Sequence, residues 1–131
     1  IIESENCRIL LTGDAHDCDL VEVLTEQKQN GLNMDFDLVK LSHHGSKKNN
    51  YKWLQLVRSK YYLVSTDSSK HNHPDIESII NIILSNPVDK KILCFNNELE
   101  VMDKINDEKL KKKYNYSIMG PNRDWGIEIE L

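Results

Sequence analysis

Residues 40–50, KLSHHGSKKNN, set two adjacent imidazoles, His43 and His44, at the end of a short apolar run, with Gly45, Ser46, Lys47 and Lys48 directly behind them. Upstream, ILLTGD delivers Asp14 at the end of another apolar run, and downstream YYLVST ends in Ser65 and is followed shortly by His71 and His73. A carboxylate and several imidazoles brought together on rigid supports are what a zinc, manganese or iron site uses as donors. Each signal has a plainer reading. Gly13-Asp14 is a turn dipeptide, and a histidine pair before Gly-Ser suits a cap or a surface loop. His16 reads as a solvent-facing loop histidine. Tyr51 and Trp53 read as rim and core residues, although aromatic side chains beside lysines also stack on bases. Asp67 and Asp75 are most simply turn and helix N-terminal carboxylates.

The elements that must position these groups alternate between strand and helix. IIES and CRILLTG predict a hairpin about Glu5-Asn6, and FDLVKLS, YYLVST and KKILCF predict three more strands. DLVEVLTEQKQ spaces Leu20, Val23 and Leu24 at helical intervals, with Asp19 as N-cap and Asn30-Gly31 as stop. YKWLQLVRS predicts a helix with Trp53, Leu54 and Val57 on one face. HPDIESIINIILS predicts an apolar helix opened near Pro74, and NDEKLKKKY a charged one. WGIEIEL alternates apolar and acidic residues and predicts a last, half-exposed strand. Strand–helix alternation makes the chain α/β, a mixed sheet with flanking helices. Asp14, His43/His44 and Ser65 then fall at the C-terminal ends of strands, the edge at which ligands gather in open α/β sheets.

The 131 residues hold one domain with one core, and 39% hydrophobic with 29% charged residues fits a globular chain. No apolar run approaches the roughly 20 residues that span a bilayer. Cys7, Cys18 and Cys94 form no CxxC, which argues against a disulfide framework or thiolate zinc site and leads to the expectation of a reducing, cytoplasmic setting. Nine acids face two bases in residues 1–39, whereas seven bases face Asp67 alone in residues 40–70. A solvated basic face explains such a block. Its position around the double histidine also suits steering of a phosphate, although the overall charge of −4 disfavours general nucleic-acid binding.

Taken in order, LLTGDA, FDLVKLSHHGSKKN and LVST…HNHPDIESII resemble the metallo-β-lactamase superfamily, in particular the branch of the ComEC-type competence proteins. The resemblance runs over nearly the whole chain, with HHGS as its most diagnostic element and the His-Pro dipeptide as its loosest. It implies the C-terminal half of an αββα sandwich and a hydrolase site with two divalent metal ions, zinc or manganese. Asp14 matches the aspartate that bridges the metals. One of His43 and His44 matches the late metal-ligand histidine: Gly45 favours His44, leaving His43 to contact a phosphoryl group or shuttle a proton, and the reverse assignment stands beside it. The resemblance gives Ser46, Lys47 and Lys48 as phosphate donors and places His73 in the His-Pro element among the catalytic residues.

The superfamily's first metal motif, HxHxDH, is absent. His71–Ile76 reads His-x-His-x-Asp but ends in Ile76, and Pro74 fits the His-Pro element better. The resemblance therefore implies a partial domain, residues 1–131, whose N-terminal half with HxHxDH lies outside this chain. It implies as partners that half or a second copy, because a half-sandwich exposes an apolar sheet face. The expected activity of the intact protein is hydrolysis of phosphoesters, phosphodiesterase- or nuclease-like, with a nucleic acid among the candidate substrates. The alternative is a degenerate half-domain that serves assembly rather than catalysis, and a chance coincidence of motifs on an unrelated α/β domain is the bland third. Competence-type relatives carry this domain outside the cytoplasm, against the expectation drawn from the cysteines.

Overall fold

A computed structural model describes residues 1–86 and 88–131. Six strands form one sheet in simple order: β1 (Ile2–Glu3), β2 (Arg8–Leu11), β3 (Asp35–Lys40), β4 (Arg58–Val64), β5 (Lys91–Phe95) and β6 (Tyr116–Met119). β1 and β2 are the expected hairpin, closed by Ser4 N–H on the Cys7 carbonyl at 2.9 Å, and every later pairing is parallel. Helices α1 (Asp17–Gln29), α2 (Ile76–Leu84), α3 (Glu100–Ile105) and α4 (Glu108–Tyr114) lie in the connections. The chain is α/β with a mixed sheet and flanking helices, as its alternation predicts.

This order has a consequence for the two sheet faces. Each parallel connection steps one strand onward in the same direction, and right-handed crossovers then all fall on one face. The register row Leu10, Val39, Tyr62, Leu93 and Ile118 points to that face. It packs in one core cluster with Leu24 of α1, Ile79 and Ile82 of α2, and Val101 and Ile105 of α3. Residues one step along each strand point the other way: Ile9, Leu38, Tyr61 and Ile92, then Leu11, Leu63, Cys94 and Met119. None of these joins the core cluster. Leu11 is 48% exposed, and Ile9, Tyr61, Leu63 and Ile92 are half-buried. Leu38 and Cys94 on this second face are buried as well, so one apolar face is helix-covered and the other is only partly shielded, most open at Leu11.

Three local expectations give way to tertiary demands. The helix predicted over YKWLQLVRS is a single 3-10 turn, Trp53–Gln55, because β4 already begins at Arg58, opposite Asp35. Nine residues are too few to hold a helix against sheet pairing, yet Trp53, Leu54 and Val57 are all fully buried. The strand predicted over WGIEIEL forms no ladder: its segment carries one isolated bridge, Arg123 to Gly126, and the sheet edge beside β5 is taken by β6. The alternation there reports extended backbone, whereas β6 and α3 are too short to announce themselves by periodicity. Finally, α1 starts at Asp17 rather than after Asp19. The Asp17 carboxylate caps no helical N–H there and instead accepts from the N–H groups of Tyr51 and Lys52, at 2.7 and 2.8 Å.

Among the described residues no helix is long and apolar enough to cross a membrane. Lys91, 1% exposed, extends from β5 to the end of α2 and donates to the carbonyls of Ser85 and Asn86 at 2.7 and 3.0 Å. A cation on terminal helix carbonyls satisfies orphan acceptors and complements the dipole, while burial lowers its pKa.

Candidate functional site

Three loops leave the C-terminal ends of β2, β3 and β4 on the same edge of the sheet. The first two are laced together: Thr12 Oγ1 donates to the Lys40 carbonyl at 2.7 Å, His43 N–H to the Gly13 carbonyl at 2.9 Å, and Ser42 Oγ to the Ala15 carbonyl at 2.6 Å. Two asparagines that look like loop filler in the sequence lock this arrangement. Asn49 donates to the Ala15 carbonyl at 3.0 Å. Asn50, fully buried, accepts from Ser42 N–H at 2.9 Å and donates to the carbonyls of Ser42 and Ser46, both at 2.7 Å. Buried polar groups this fully paired rigidify a site.

The backbone of the HHGS segment is unusual. His43, His44 and Gly45 are all left-handed, with φ of 43°, 56° and 88°. For a non-glycine residue that conformation costs about 1–2 kcal/mol, and such outliers persist where the surrounding structure over-determines them. Here the Gly13, Ser42 and Asn50 hydrogen bonds do so. The result aims both imidazoles into a cleft of about 500 Å³ whose lining includes Asp14, His43, His44, Lys70, His71 and His73. The His43 ring centroid lies 6.2 Å from that of His44, 6.4 Å from His71 and 5.7 Å from His73.

His44 Nδ1 stands 2.6 Å from the Ser65 carbonyl. A carbonyl only accepts, so Nδ1 is the donor, and in the neutral ring the Nε2 lone pair is the one left available. Metal-ligating histidines are oriented in this way, the second nitrogen donating to a carbonyl or carboxylate. His73 differs. Its Nδ1 is buried without a hydrogen-bond partner, 3.6 Å from Asp75 Oδ2. Burial lowers its pKa, with smaller contributions from His43, His71 and His44, while Asp75 opposes the shift. His73 is thus held toward its neutral, proton-accepting form.

Of the residues singled out in the sequence, Asp14, His43, His44 and His73 line the cleft, and Ser46, Lys47 and Lys48 do not. Ser46 is 5% exposed and builds the turn, its N–H donating to the His43 carbonyl at 3.0 Å. Lys47 donates through its N–H to Asp75 Oδ2 and through Nζ to Glu77 Oε1, both at 2.8 Å, and the ion pair raises its pKa. Lys48 is exposed. His16 is likewise an exposed loop residue outside the cleft lining. Asp67 is the turn carboxylate expected, its pKa lowered by the Ser69 N–H at 2.9 Å. Lys70, Asn96 and Asn97 also line the cleft and carry no motif in the sequence.

Asp14 and His44 fit a divalent metal in kind, offering a carboxylate and an imidazole with a free Nε2. Among the described residues, however, no three His, Cys, Asp or Glu side chains converge closely enough to hold an ion by themselves. No family model, no curated protein and no solved structure matches this chain.

Proposed function

We propose that this chain builds one wall of a metal-dependent hydrolase site that cleaves phosphoesters, with phosphodiesters as the leading class. The observation that carries the proposal is the His44–Ser65 hydrogen bond at 2.6 Å, which engages Nδ1 as a donor and leaves Nε2 of the neutral ring available in a cleft that Asp14 also lines. Asp14 and His44 are the donors offered to a pair of zinc or manganese ions, and other donors complete the set. Such ions supply Lewis-acid polarisation of a phosphoryl oxygen and a water acidified toward neutral pH. The chain's own contribution is orientation and proton handling. His43 neighbours both His44 and His73, where it can contact a phosphoryl oxygen. His73, kept neutral by burial, can hold a proton at its free nitrogen.

The lack of a three-donor group among the described residues and the partly exposed second sheet face together support a second layer packed on that face, a complementary half-domain or a second copy. The same two observations favour the competing reading of a non-catalytic assembly module. Hydrolysis of bis(4-nitrophenyl) phosphate by the complete protein in the presence of manganese or zinc separates the two. Activity that Asp14→Ala removes supports the hydrolase. Equal background rates in the parent and the variant, with metal bound, refute it.

A further inference from the structure

We propose that Lys70 is the cation that receives the substrate's phosphate in this cleft, a role that rests on the hydrolase reading above and that the sequence pattern assigns to Lys47 and Lys48 instead. Three observations converge. Of the seven bases in residues 40–70, Lys70 is the one that lines the histidine cleft. The competing lysine is already committed, since Lys47 Nζ is paired with Glu77 at 2.8 Å. Lys70 makes no ion pair among the described residues, although its charge acts on nearby Asp67. Its ammonium is therefore free to meet an anion.

The loop that carries Lys70 is built to hold position. Thr66 N–H donates to Asn96 Oδ1 and Asn97 Nδ2 to the Thr66 carbonyl, both at 2.8 Å, tying the loop to the end of β5. Ser68 N–H returns to Thr66 Oγ1 at 3.0 Å and Ser69 N–H to Asp67 Oδ1 at 2.9 Å, while Ser68 Oγ donates to the His73 carbonyl. Tethers at both ends cut the ordering that binding would otherwise require. A lysine acts on phosphate as a compact point charge with rotatable donors, so the site constrains charge more than shape. Lys70 is a substrate-binding residue in this account and transfers no proton.

The test is a titration with inorganic phosphate followed by nuclear magnetic resonance at Lys70 Nζ and the loop amides, in the metal-free and zinc-loaded protein. Phosphate should shift Lys70 saturably. Lys70→Ala should weaken phosphate about tenfold, the loss of one charge-assisted hydrogen bond, Lys70→Arg should stay close to the parent, and Lys47→Ala should change nothing. A Lys70→Ala affinity equal to the parent's, or an equal loss in Lys47→Ala, overturns the proposal. Zinc binding at His44, read in the same samples, keeps the two ideas apart. Zinc absent from the parent with the Lys70 response intact refutes the metal reading alone, whereas zinc retained with phosphate binding independent of Lys70 refutes only the lysine's role.

Discussion

Pro74 rests on Gly45. A Cβ placed on Gly45 would lie 2.6 Å from Pro74 Cβ, and Asp75 N–H donates to the Gly45 carbonyl at 3.0 Å. The glycine of HHGS and the proline of the His-Pro element are thus one contact, through which two distant stretches of sequence are held together beside the residues that line one cleft. Gly45→Ala meets both a clash and a φ of 88°. It should cost about 3 kcal/mol in urea unfolding. Gly31→Ala, at φ 83° with nothing within 4 Å, should cost only about 1 kcal/mol. Equal losses would show that the Pro74 contact contributes nothing.

Asn50 is the second structural lock. Asn50→Ala leaves the Ser42 N–H and the carbonyls of Ser42 and Ser46 without their partner inside a buried turn. The expected loss is about 2–4 kcal/mol, with faster amide exchange at 42–46. A loss below about 0.5 kcal/mol, the range of an ordinary surface substitution, would contradict the assigned role.

The cysteines should separate cleanly. Cys94 is fully buried and its thiol is pushed up to about 12, whereas Cys18 is exposed. Iodoacetamide at neutral pH should label Cys18 in the folded protein and Cys94 only on unfolding, because the thiolate is the reactive form. Labelling of Cys94 at the rate of Cys18 would mean that the sheet around β5 opens readily.

His73 gives stability a pH dependence of known sign. Its folded-state pKa lies below the ordinary 6.5, so the unfolded chain takes up the proton first as pH falls. Stability is then full above about 6.5 and declines as pH drops through the lowered value. In the metal-free protein, the fall in unfolding free energy between about pH 7.5 and 5.5 should shrink in His73→Gln. An unchanged or steeper slope in that variant would contradict the lowered pKa assigned to the half-buried His73.

The sheet, and the edge at which Asp14, His43 and His44 gather, were legible because both rest on local signals. β3 and β4 are apolar runs bounded by polar turns, and Asp14 and His43/His44 sit directly at strand ends. What escaped was tertiary. Trp53 fits a helical face on paper, but its burial is achieved by a 3-10 turn with its indole N–H on the Asn49 carbonyl at 2.7 Å. Lys70 and Lys47 are indistinguishable as residues in a basic block. Only the fold pairs one with Glu77 and leaves the other in the cleft. Asn49 and Asn50 announce a loop in the sequence, and nothing in one chain says that a loop asparagine is fully buried.

The central claim is that His44 is a metal donor, held ready by Ser65. The most direct measurement is the 15N shift of its two ring nitrogens during a zinc titration of the 15N-histidine-labelled protein. The account predicts a protonated Nδ1 before zinc and a large coordination shift at Nε2 as zinc is added, lost or at least tenfold weaker in Asp14→Ala. An Nε2 resonance that stays unmoved at saturating zinc, or one that shifts identically in Asp14→Ala, would contradict it.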